Sequence, residues 1–489
     1  MTAQQPPELP PGFIPRVIVK FKENAAPDYR DNPLDDQPWK QLAEQFPGIR
    51  LLRLFTTVAP ERIRKLQKLA RRNNKEQQHP NFLTYFAIVG MRLAEAPKVA
   101  EQISKWERVE LAYVDPPCTN PCTSADYVSA LIDGHSASGS EVYLDPVNAP
   151  FAWKFPGGAG QGQHLVDLEL GWQFCHRDLQ AHFSTTRSPL LGGINRTGFR
   201  DHGTKVLGII CGRPPQSIVE SSAPCCIGIT PCLASVGVIS YATGAAAAAE
   251  GCVGAPPVSG PIARNDALMQ ATSHLQALGG GVLLLEVEVG STEAGVWGTW
   301  AKSEHPIEII PTDLEQIRLA RDLGIVVVEA AGNDGADLDQ YEDMLGKHSL
   351  RVRIPDPSNP SLTIPNLDFQ DSGAIMVGAS LQNLHRKSSS NYGSRVNCFA
   401  WGQGVFSTNL NGTYTSLFNG TSSASAIIAG VALSVLGLIA ANKLPARTPQ
   451  QIRELLSDKI YGRLSTPSSR PIGSMPDLAK IIKDALGLN

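Results

Sequence analysis

From Ser423 to Ala441 the chain carries no charged residue, and Ser, Ala and Gly crowd among the aliphatic side chains. The run is near the length that crosses a bilayer. Its small residues, and the polar turn Asn419-Gly420-Thr421-Ser422 just before it, suit a helix running through a soluble core close to its neighbours. A helix that is apolar on every side has to be enclosed, so the rest of the chain must supply its walls.

Those walls are legible as alternation. Strands are expected at His164–Leu168, Ala234–Tyr241, Val282–Val287, Ile325–Ala330 and Ala374–Ala379. Helices are expected at His202–Cys211, Ala267–Ala277, Leu314–Leu323, Ser423–Ala441 and Pro449–Leu456. Strands alternating with helices predict an α/β fold, a parallel sheet sandwiched by helices. Gly244–Gly260, rich in Ala, Gly and Pro, reads as an exposed loop.

Upstream the pattern changes. Arg16–Lys22, Ile49–Phe55, Phe82–Leu93 and Val109–Val114 read as strands. Trp39–Phe46, Glu61–Arg72 and a stretch with Val99, Ile103 and Trp106 on one face read as helices. Apart from one extra helix this is β-α-β-β-α-β, a small α+β unit. The expected divisions are 15–117 for this unit, 118–150 for a linker, 151–460 for the α/β domain and 461–489 for a C-terminal extension.

Composition excludes some roles. A formal charge of −3 gives no electrostatic footprint for nucleic acid. Nine cysteines on irregular spacings lack the paired pattern of a zinc site, so no metal and no cofactor is expected. The polar, proline-rich start shows no signal peptide. Mostly reduced thiols and a cytoplasmic location follow as expectations, as does the absence of a membrane span. Gly134-His135-Ser136-Ala137-Ser138 lacks the last glycine and the preceding strand of a nucleophile elbow.

Three short motifs carry chemistry. Gly420-Thr421-Ser422-Ser423-Ala424-Ser425-Ala426 puts a serine where a turn enters a helix. Backbone N–H donors and the positive end of the helix dipole lie there, although a plain helix cap would read the same way. Asp201-His202-Gly203-Thr204 sets a histidine at the start of an apolar helix. Val326–Ala331 is a buried strand that ends in Gly332-Asn333, where an amide can donate to a developing oxyanion.

In this order and context the three motifs resemble the subtilisin-like serine peptidases, or subtilases, over roughly residues 160–456. His202-Gly203-Thr204-Lys205-Val206-Leu207-Gly208 looks like the family's His motif, and Gly420–Ala426 like its Ser motif with Ala426 in place of a proline. The acid–His–Ser chain order is a known example of this triad. The resemblance implies peptide-bond hydrolysis through an acyl-enzyme, with Ser422 as nucleophile, His202 as base and Asn333 in the oxyanion hole. It makes the 15–117 unit similar to the family propeptide, a candidate intramolecular inhibitor. A catalytically inactive binding module is the alternative.

The acid departs from the family pattern. His164-Leu165-Val166-Asp167-Leu168-Glu169-Leu170-Gly171 replaces a strand ending in Asp-Thr/Ser-Gly. Register on Gly171 favours Glu169, and Asp167, two residues earlier on the same face, stays open as the alternative. The resemblance also implies substrate binding by Glu286, Val287, Glu288 and Gly332, with protein or peptide as partner. The two glutamates stand where the family is small or apolar, which puts an apolar preference in doubt. Asp178 lies where a calcium ligand is common, but its loop does not match.

Overall fold

In this computed structural model the described residues are 14–116, 118–119, 142–183, 190–195, 197–215, 225–242, 262–289, 304–340 and 350–488, apart from 352, 357, 367 and 368. The Gly244–Gly260 loop, the Gly134–Ser138 motif and most of the expected linker fall outside them.

The N-terminal unit is a four-stranded antiparallel sheet, β1 (Val17–Phe21), β2 (Arg50–Arg53), β3 (Tyr85–Val89) and β4 (Val109–Val114), in the order β2-β3-β1-β4. Three helices connect the strands: α1 (Gln37–Gln45), α2 (Pro60–Asn73) and α3 (Ala96–Ser104). Val99 and Ile103 of α3 are fully buried, as their spacing on one helical face requires. The expected strand Phe82–Leu93 opens instead with a 3-10 turn at Phe82–Thr84, where the Asn81 side chain accepts from the Leu83 N–H. Past β4 the chain places a two-residue strand, β5 (Cys118–Thr119), against the other domain.

The α/β domain is built on a nine-stranded sheet. Its parallel centre comprises β6 (His164–Glu169), β7 (Leu190–Gly192), β8 (Ser235–Ser240), β9 (Gly281–Leu285), β12 (Ile325–Ala330), β15 (Ile375–Ser380) and β16 (Cys398–Trp401). The short β10 (Glu288–Val289) and β11 (His305–Pro306) form a small antiparallel sheet with β5. Two hairpins, β13 (Arg353–Asp356) with β14 (Asn359–Pro365) and β17 (Val405–Thr408) with β18 (Tyr414–Phe418), lie outside the large sheet. At its edge β19 (Gly462–Leu464) pairs with β20 (Ser474–Pro476), and β20 pairs with β16. The boundary expected at 460 therefore falls within the sheet, because the last strands complete its hydrogen-bond ladder.

Helices α4 (Arg200–Cys211) and α7 (Thr421–Ala441) pack together on one face. On the other lie α5 (Arg264–Leu278), α6 (Pro311–Asp322) and α8 (Pro449–Ser457). Helix α7 is long and apolar enough to cross a membrane, but most of it is buried inside the fold. Its small residues have a visible use: a Cβ at Gly437 would stand 2.2 Å from the Gly157 carbonyl oxygen. Among the described cysteines five are free, and Cys175 is disulfide-bonded.

The two units share a polar seam. The Asp266 carboxylate at the start of α5 accepts from the Thr56 N–H at 3.0 Å, the Thr57 N–H at 3.0 Å and both threonine hydroxyls. Arg264 bonds Asp115 at 2.9 Å and Asp313 at 2.6 Å, and Arg16 also pairs with Asp115. His79 Nε2 meets Asp322 Oδ2 at 2.9 Å. Around the seam Leu66, Phe55 and Tyr85 belong to the same hydrophobic cluster as the α/β core.

Candidate active site

Strand β6 carries Asp167 and Glu169 on one side of the sheet, both fully buried. The His helix α4 begins beside them, and Gly203 is what lets it come so close. A Cβ there would stand 2.4 Å from the Trp172 ring. His202 Nδ1 lies 3.1 Å from Glu169 Oε2 and 3.2 Å from Oε1. Its Nε2 lies 3.1 Å from Ser422 Oγ. The ring is braced edge-on by Phe418, with centroids 5.3 Å apart. Burial lowers the His202 pKa to about 4, so near neutral pH the imidazole is uncharged, with Nδ1–H donating to Glu169 and Nε2 accepting from the Ser422 hydroxyl.

Asp167 makes a different contact. Its Oδ2 accepts from Trp172 Nε1–H at 2.7 Å. Burial first, and then the neighbouring Glu169 charge, pushes its carboxyl well above the usual range. Two carboxylates this close in a dry site resist joint ionisation, and the upward push on Asp167 favours its neutral form. Of the two candidate acids, the structure puts Glu169 on His202.

The serine enters α7 through Gly420, whose φ of +87° is a conformation that side chains disfavour. The Ser422 N–H thereby belongs to the first helical turn, where backbone donors have no intrahelical acceptor. Asn333 reaches the same place from the end of β12. Its Oδ1 accepts the Thr421 N–H at 2.9 Å, and its Nδ2 donates to Glu288 Oε1 at 3.1 Å. Gly332 just before it has φ +102°, and a Cβ there would meet the Glu304 carbonyl oxygen at 2.0 Å.

Of the four residues expected to bind substrate, Glu288 and Glu286 touch residues of this centre and Gly332 precedes Asn333. Glu286 and Val287 link β9 to β10, Glu288 opens β10, and all three are fully buried. The Glu286 carboxyl accepts from Ser425 Oγ at 2.5 Å. Burial pushes it well up, with Asp167 and Glu169 adding to the effect. Glu288 is likewise pushed well above the carboxylate range, by burial and then by the Glu304 carboxyl. Sequence reasoning did not find Trp172 as a partner for Asp167, nor Glu304 as a partner for Glu288. Only the Trp beside Gly171 offered a signal for the first, and nothing local signals the second.

At Asp178 the carboxylate is already matched. Oδ1 accepts from Arg177 Nε at 3.2 Å, and Oδ2 from the Cys226 N–H at 2.8 Å and the Tyr414 hydroxyl at 2.7 Å. A guanidinium stands against the charge that a cation would otherwise meet. Among the described residues no group of three or more His, Cys, Asp or Glu is arranged to hold a metal.

The model of the subtilase family matches residues 176–474, a stretch holding His202, Asn333 and Ser422 that begins after β6. Subtilisin DY of Bacillus licheniformis is 37% identical over 134 residues, 27% of this chain and 39% of that protein. Thermitase of Thermoactinomyces vulgaris is 38% identical over 111 residues, 23% of this chain and 38% of that one. The alignments thus span about two-fifths of these relatives' length. The epidermin leader peptide processing serine protease of Staphylococcus aureus has the same fold, with a TM-score of 0.55 and 16% identity over 97% of this chain and 99% of that one. A family match over more than half of its length, on a sheet with the His and Ser helices packed on one face, makes this chain a member of the subtilase family.

Proposed function

We propose that the chain is a serine endopeptidase. The observation that carries this reading is a single imidazole held between a carboxylate and a serine hydroxyl, with His202 3.1 Å from both Glu169 and Ser422. In the proposed reaction Ser422 Oγ attacks a peptide carbonyl carbon and its proton passes to His202 Nε2. Glu169 stabilises the imidazolium. The new C–O⁻ takes hydrogen bonds from Asn333 Nδ2–H and the Ser422 N–H. The C–N bond then breaks, the imidazolium protonates the leaving amine, and water repeats the cycle on the acyl-enzyme.

The proposed substrate is an extended peptide lying along the Glu286–Val289 stretch, a strand-addition geometry. The pairing of β5 with β10 supports a second role for the N-terminal unit, as an intramolecular inhibitor. Thr119 stands opposite Glu288 and Cys118 opposite Val289, so the chain's own backbone takes an edge that a substrate would use.

Labelling by a fluorophosphonate probe separates a peptidase from an inactive binding module. Wild type is expected to acquire one label, and Ser422→Ala none, with an unchanged melting temperature. Equal labelling of the two, or none of wild type, counts against the reading.

A further inference from the structure

The Asn333 amide is oriented by two partners. The Thr421 N–H can only donate, so it fixes the oxygen end of the amide toward α7 at 2.9 Å. The nitrogen end then faces Glu288 Oε1 at 3.1 Å. An amide nitrogen carries two hydrogens. One is held by Glu288, and the other is the one that an oxyanion takes. Glu288 is fully buried and also lies 3.4 Å from the Thr421 hydroxyl. No small or apolar side chain at this position would hold the amide in this way.

Glu288 is also surrounded by like groups. Glu304, just before β11, adds to the upward push that burial gives the Glu288 carboxyl, and Glu286 and Asp334 add to it further. His305 on β11, which pairs with Val289, is brought down to about 4 by burial and is neutral. Facing carboxyls in a dry site resist joint ionisation. A negative charge one hydrogen bond from the oxyanion donor opposes the charge that develops there.

We propose that Glu288 is a positioning residue for the oxyanion hole, aiming the Asn333 amide at the reacting carbonyl, and that the hole works only while the Glu288–Glu304 pair keeps a proton. This rests on the reading of Asn333 as oxyanion donor. As pH rises through the titration of the pair the proton is lost, the negative charge appears, and the rate falls. The His202 base governs the acid side, so the profile has separate limbs.

The test is the rate of Ser422 labelling by a fluorophosphonate from pH 4 to 10, in the full chain and in an Asp266→Ala background that holds the N-terminal unit less tightly. In that step the Oγ–P bond forms, the P–F bond breaks, fluoride leaves, the hydroxyl proton goes to His202, and the phosphoryl oxygen enters the oxyanion hole. Glu288→Leu removes the acceptor and is expected to slow labelling at every pH, by up to about a hundredfold, the effect of losing one such donor. Glu288→Gln keeps an accepting oxygen that never ionises, so, whatever its maximal rate, the alkaline fall relative to that maximum disappears. Glu304→Gln lets Glu288 ionise sooner and moves that fall to lower pH. An alkaline limb unmoved by either glutamine variant, or a Glu288→Leu rate equal to wild type, overturns the proposal. Failure of wild type to label, or labelling of Ser422→Ala, overturns the peptidase reading instead, so the two failures are distinguishable.

Discussion

At the scale of single residues, the two buried carboxylates of β6 differ because of what each touches. Glu169 accepts from an imidazole that becomes cationic during the reaction, whereas Asp167 accepts from an indole N–H that never does. Glu169→Gln is therefore expected to lower kcat by about 10⁴, since an amide can hold the imidazole in the wrong tautomer. Asp167→Asn replaces an already neutral group with an isostere whose oxygen still accepts from Trp172, and should stay near wild type. Both are checked by single-turnover hydrolysis of a labelled protein substrate, with circular dichroism to confirm folding. A collapse in Asp167→Asn with little change in Glu169→Gln would reverse the assignment. The motif register pointed to Glu169 because Gly171 fixes the spacing. The contact itself depends on α4 approaching over Gly203, and nothing in the β6 segment alone says how close that helix comes.

At the scale of elements, legibility followed locality. The α7 helix was visible from its uncharged run, and β6, β8, β9, β12 and β15 of the large sheet from their aliphatic runs, since both signals are local, whereas β7 and β16 were not marked as strands. The edge strands β19 and β20 were not, because Gly462–Leu464 and Ser474–Pro476 are three residues each and become strands only by pairing with a sheet built elsewhere. The same holds for β5, whose two residues carry no strand pattern. The N-terminal unit is fastened by Asp266, whose carboxylate accepts from four donor groups of Thr56 and Thr57. Asp266→Ala removes the one carboxylate that these exposed threonines share and is expected to weaken docking by about 1–3 kcal/mol. If the unit inhibits, hydrolysis of a labelled protein substrate should speed up several-fold in this variant. An unchanged rate would count against inhibition.

At the scale of the molecule, the seam between the units is sensitive to acid. Burial alone would raise the Asp322 pKa, but hydrogen bonds from His79, Arg321 and Asn74 outweigh it and bring it to about 2. A carboxyl held below its ordinary value contributes stability above that value and loses it as pH falls. The contribution of Asp322 is therefore complete above about pH 4 and disappears toward pH 2. Melting temperatures measured across this range should fall more steeply for wild type than for Asp322→Asn. Parallel curves would show that Asp322 does not couple the seam to pH.

The pairing of β5 with β10 is made by one continuous chain, and that continuity sets its strength in a way no contact distance reports. A tethered strand meets its partner at an effective concentration that reaches the millimolar range for short flexible connections, whatever the dilution of the protein. While the chain is whole, occupancy of β10 by Cys118–Thr119 is the same in a dilute solution as in a crowded one. A single cut between the two units turns that fixed occupancy into an ordinary bimolecular equilibrium. From then on, dilution, or consumption of the freed unit, governs how much of the β10 edge lies open.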